Sequence, residues 1–93
     1  MFAVVVRESG DATQIEQSGD LVRANVAPRV REAPGFVSAT WMTDGHGSTL
    51  NVLIFESEEA ARSALDAARM APRPPFMRFE QADVFRVLAT AAR

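Results

Sequence analysis

The sequence predicts a single α+β domain with the order β-α-β-β-α-β, the ferredoxin-like split pattern, and three observations carry that expectation. Four stretches (2–7, 36–43, 48–55 and 79–90) are dense in β-branched, aromatic and other apolar residues, as strands are. Between them lie two stretches with helical spacing, Ile15, Val22, Val26 and Val30 in the first and Ala60, Ala61, Ala64, Leu65 and Ala68 in the second. Gly and Pro punctuate the joins, at Ser9-Gly10-Asp11, Ala33-Pro34-Gly35, Asp44-Gly45-His46-Gly47 and Pro72-Arg73-Pro74-Pro75.

The first strand is almost wholly apolar, as a central strand covered on both faces should be. The helix expected over 12–32 contains Gly19 and Pro28, and Pro28 has no N–H for the Ala24 carbonyl, so a kink or early end is expected. Gly45-His46 suits a two-residue type II′ hairpin turn. That register sets Phe36, Ser38, Thr40, Met42, Asn51, Leu53 and Phe55 on one face and Val37, Ala39, Trp41, Leu50, Val52 and Ile54 on the other. A three-residue loop slips the register and moves Trp41 to the face of Asn51. Ser57 is a good N-cap for the second helix, with Glu58 and Glu59 at its positive end. The last strand alternates weakly from Glu80 to Asp83, as at an edge or bulge.

Right-handed crossovers place both helices on one face of the sheet, with the first and third strands central. Strands two and three are apolar on both faces, so a second cover is needed, and a second copy related by a two-fold axis supplies one. A homodimer is therefore expected, with Trp41, Val37, Val52 and Ile54 in its interface.

Composition limits the remaining possibilities. One domain of 93 residues is expected, small enough to gain from oligomerisation. There is no Cys, which excludes disulfides and thiolate metal sites. All 10 basic residues are Arg, which excludes Schiff-base lysine chemistry. The net charge of −2, with mixed signs and no basic block, argues against a nucleic-acid partner. The N terminus has no signal-peptide pattern and no stretch suits a membrane span, so a cytoplasmic protein is expected.

Ala-Pro-Gly-Phe at 33–36 and Val-Leu-Ile-Phe-Glu-Ser-Glu-Glu-Ala at 52–60 resemble segments of the antibiotic-biosynthesis-monooxygenase-like family of dimeric α+β barrels. That resemblance implies a pocket between the sheet and the two helices of each subunit. It also implies oxygenase chemistry on aromatic compounds without a cofactor. In the haem-degrading branch an Asn on strand one, a Trp closing strand three and a His on the next helix act together. Here those positions fall near Val4, at Phe55 and at about Ala64, so haem degradation is not expected.

An apolar small-molecule ligand is expected beside Asn51, Ser38 and Thr40, with Phe36, Met42 and Phe55 around them, because a mostly apolar cavity with a few polar groups is how such ligands are held. A metal site is not expected: the one His, His46, sits in a turn with no second ligand. No residue stands out as a general base. Arg7 is expected to pair with Asp83 or Glu80, and Arg73 and Arg78 to be solvated loop charges or to attract an anion at a pocket mouth.

Overall fold

The computed structural model describes all 93 residues and has the element order β1 (Phe2–Gly10), α1 (Ala12–Gln17), α2 (Gly19–Leu21), a π-helical turn (Val22–Val26), α3 (Ala27–Arg31), β2 (Phe36–Thr43), β3 (Ser48–Phe55), α4 (Glu58–Met70) and β4 (Met77–Arg86). The sheet is antiparallel with order β2-β3-β1-β4, so β1 and β3 are central, as the sequence predicts. No helix is long and apolar enough to cross a membrane.

The first helical stretch is broken by its own residues. Asp11 caps α1 by accepting the Gln14 N–H at 2.9 Å. Farther on, Pro28 lies in the first turn of α3, where a missing N–H costs little. The π-helical turn before it, in which the Ala27 N–H reaches back to the Val22 carbonyl, widens the coil by one residue and absorbs the mismatch. The expected kink is thus a π-bulge. Only Ile15 of this stretch is buried.

The second helix, α4, is regular. The Ser57 Oγ accepts the Ala60 N–H at 3.1 Å, and Ala61 and Leu65 are buried. Its small residues bring it close to the sheet. There Ala61 and Leu65 join Val4 and Val6 of β1, Phe55 of β3 and Ala82 of β4 in one core, with Phe2, Phe79 and Val84 packed against it. Phe36 meets Phe55 edge to face, with ring centroids 6.0 Å apart. On the wet side Arg62 pairs with Glu58, one turn away.

The β2–β3 hairpin takes the longer loop. Thr43 pairs with Thr49 and Trp41 with Asn51, leaving Gly45, His46 and Gly47 between Asp44 and Ser48. Gly45 and Gly47 both have positive φ (78° and 94°), a demand that a two-residue II′ turn makes only once. The Asp44 carboxylate closes the loop by accepting the His46 and Ser48 N–H groups at 2.7 and 3.1 Å, and the Gly47 carbonyl accepts the Gly10 N–H at 2.9 Å, fastening the tip to β1. A bulge between Phe36 and Ser38 then lets Phe36 share a face with Ala39 and Trp41.

This register corrects the expected faces. Trp41 and Ala39 lie on the helix side, together with Asn51, Leu53 and Phe55. Ser38, Thr40 and Met42 pair with Ile54, Val52 and Leu50 on the open side. The expected Arg7 pair is also absent. Arg7 lies opposite Gln81, and a second bulge at Glu80 gives that carboxylate to Ser9 and Arg78, while Asp83 accepts from Gln81.

The two backbone N–H groups, from His46 and then Ser48, hold the Asp44 carboxyl below the usual aspartate range. A depressed folded pKa stabilises the fold above the unfolded pKa and is lost as pH falls through the folded value. Asp44→Asn keeps an acceptor but no charge. Its urea midpoint should lie below that of the wild type at pH 7, and the gap should close on acidification below about pH 3.9, the ordinary aspartate value. An equal gap at pH 7 and pH 2 would assign the effect to geometry alone.

Candidate functional site

Packing of α4 fills one half of the covered sheet face, and the first helical stretch, longer but broken into short pieces, leaves a gap over the other half. That gap is an open cleft of about 440 Å³. Its floor is the β1-β3-β2 side of the sheet, with Glu8, Thr49, Asn51, Ala39, Trp41 and Thr43. Its roof is Ile15, Ser18, Gly19 and Val22, with Glu16, Arg23 and Met77 also contributing. Trp41, the one tryptophan of the chain, is half-buried in the wall of the cleft.

Glu8 is the charged group of the floor. The strand places it in line with Val4 and Val6, facing the helices, where its side chain is 12% exposed. Asn51 donates through Nδ2 to Glu8 Oε1 at 3.0 Å, and Arg73 through Nε to Oε2 at 2.5 Å. Arg73 belongs to the proline-rich loop after α4. Its Nη2 donates to the Ala68 carbonyl at 2.7 Å and its Nη1 to the Ala71 carbonyl at 3.0 Å, satisfying acceptors at the helix end. Its guanidinium also lies 4.8 Å from the Phe79 ring centroid, a cation–π contact. Asn51 is thereby bonded within a polar network, as a buried amide must be.

The structure brings together only part of the group expected from sequence. Asn51 lines the cleft. Phe36 and Phe55 are on the same face but belong to the packed core under α4. Ser38 lies on the open face. Thr40 and Met42 border the cleft along β2, while the register directs their side chains to the other side. Trp41, expected at an interface, forms a wall of the cleft instead, because the three-residue loop slips β2 by one position. Val52 and Ile54 are on the open face and Val37 is at the bulge.

Glu8 and the inward turn of Arg73 were not foreseen. A signal existed: Glu8 keeps the period-two phase of Val4 and Val6, so an acid was being placed on a covered face where it needed a cation. His46 is exposed at the hairpin tip, away from the cleft, and no cluster of three His, Cys, Asp or Glu side chains is present to hold a metal.

No family model matches the sequence, and no curated protein matches it. Solved structures do match along the whole chain. The haem-degrader MhuD from Mycobacterium tuberculosis, with two haems bound in its active site, superimposes with a TM-score of 0.72 at 18% identity, covering 99% of this chain and 100% of that one. A monooxygenase from the gene ActVA-Orf6 of Streptomyces coelicolor, in complex with nanaomycin D, gives 0.63 at 23% identity, covering 99% and 91%. The chain therefore has the ferredoxin-like α+β fold of antibiotic-biosynthesis-monooxygenase-like proteins. The cleft lining offers no His, Cys or Tyr as a ligand for haem iron, and its thioethers are Met42 and Met77.

Arg73→Met leaves the Glu8 carboxylate without its cation and the α4 carbonyls without their donors. Urea unfolding should show a loss of about 3 kcal/mol, the lower end of the range for a broken buried pair because Glu8 retains some solvent. Glu8→Gln combined with Arg73→Met should recover a large part of that loss.

Proposed function

We propose that this chain binds an apolar aromatic compound in the cleft and acts on it as a cofactor-independent monooxygenase. The observation that carries the reading is Trp41, a half-buried indole in the wall of a cleft roofed by Ile15 and Val22 and floored by Asn51 and Thr49. An aromatic wall with a few fixed polar groups suits a flat, mostly apolar ligand. One matching solved structure, a monooxygenase in complex with nanaomycin D, supports a small-molecule occupant.

In such a reaction the substrate loses a proton to give a carbanion and dioxygen adds to that carbon. One oxygen atom remains as a carbonyl, and the other leaves with both hydrogens of the original CH₂ as water. The protein contributes orientation, exclusion of water and hydrogen bonds. A second reading, a non-catalytic small-molecule-binding or structural protein, is favoured by one observation: no His or Tyr lines the cleft, and of its carboxylates Glu8 is held by Asn51 and Arg73 while Glu16 is exposed.

In either reading we take the molecule to be a homodimer. The open face carries the paired rows Met42-Leu50, Val52-Val5 and Ile54-Ala3-Phe85, with Met42 and Phe85 exposed, and a second copy would cover them.

Oxygen consumption with an anthrone should be catalysed by the wild type, and Trp41→Ala should weaken anthrone binding by about tenfold, the worth of an aromatic contact. Binding without uptake would favour the second reading, and uptake indifferent to Trp41 would move the site elsewhere. Sedimentation at micromolar concentration should give a dimer for the wild type and a monomer for Ile54→Glu, which puts a charge on the open face. A monomeric wild type would remove the dimer.

A further inference from the structure

We infer that Glu8 is the acceptor that recognises a hydroxyl group on the ligand of the cleft, and that Arg73 is its positioning residue. This rests on the cleft being a ligand site, as proposed above.

The hydrogen bonds of the carboxylate are half used. An ionised carboxylate offers about four acceptor positions, two on each oxygen. Asn51 fills one on Oε1 and Arg73 one on Oε2, and no other protein group donates to either oxygen. Arg–carboxylate pairs are frequently two-pronged, with the fork on both oxygens. Here Arg73 gives Glu8 only its Nε, while Nη1 and Nη2 each donate to a carbonyl, of Ala71 and Ala68. The contact is end-on, one position on each oxygen stays open, and Glu8 lines the cleft.

The kind of donor follows from charge. Arg73 already matches Glu8, so the floor does not call for a second cation, and an anion would have to approach a carboxylate. A neutral hydroxyl donates without disturbing that balance. A donor meeting an ionised acceptor away from bulk water also makes one of the stronger hydrogen bonds. Trp41, across β3 from Glu8 on the same face, would hold the ring that carries the hydroxyl.

The test compares two probes of nearly one shape, 2-naphthol and 2-methoxynaphthalene, the second lacking the donor. Binding is followed through the single indole N–H resonance of Trp41 in the full chain. Wild-type protein should prefer the naphthol by about tenfold or more. In Glu8→Gln, which keeps a neutral acceptor but loses the charge, the ratio should fall by about threefold or more. Where that variant does not fold, Glu8→Gln with Arg73→Met, which removes both charges together, gives the same comparison.

Arg73→Lys keeps the charge but loses the clasp on Ala68 and Ala71. It should lower the ratio, whereas a merely structural Arg73 would weaken both probes equally and leave the ratio unchanged. Equal wild-type affinities, or a preference unchanged in Glu8→Gln, would overturn the role of Glu8 while leaving the cleft as a binding site. If neither probe moves the Trp41 resonance, the cleft reading fails and this inference fails with it.

Discussion

The Asp44 carboxylate and the two glycines beyond it set the register on which the sheet depends. Asp44 accepts two N–H groups across a three-residue loop whose first and last residues both have positive φ, and the Gly10–Gly47 bond ties the loop to β1. Side chains alternate along a strand, so a slip of one residue here would exchange the faces of β2. It would take Trp41 from beside Asn51, turn Ser38, Thr40 and Met42 toward the helices, and leave the cleft without its aromatic wall. The small polar turn at one end of the sheet thus decides which chemistry the covered face presents.

Much of the fold was legible because it follows from period and punctuation. The apolar run of β1, the Ser57 cap, the small-residue stripe of α4 and the breaks at Gly35 and Pro72 each act through nearby residues. The hairpin was ambiguous for a definite reason. Asp-Gly-His-Gly satisfies both a two-residue and a three-residue loop, and what separates them is the pairing of the tip with Gly10, distant in sequence. The bulge at Val37 was equally hidden, since an extra residue in an apolar strand leaves no mark on composition.

The site was partly legible. Asn51 stood out as an amide on a central strand, and it does line the cleft. Its partners did not stand out: Arg73 lies 65 positions from Glu8, in a loop whose other residues suggest a solvated turn. Long-range charge pairing is set by the closing of β4 against β1 and by the end of α4, not by any local pattern. Arg73 consequently serves three structures at once, the floor of the cleft, the end of the helix and the ring of Phe79.

The two halves of the helical layer are unequal. Beneath α4 lie Ala61, Leu65 and most of the core, whereas the segments over the cleft bury Ile15 alone and are interrupted at Ser18 and by the π-helical turn. Opening free energies follow buried apolar area, so the roof is the part of the molecule that separates from the sheet at least cost. On the proposed reading of the cleft a compound could enter without disturbing the core, and amide protons over residues 12–31 should exchange faster than those of β1 and β3. A bound compound would draw the two classes together, so the order of the first helical stretch is itself a measure of occupancy.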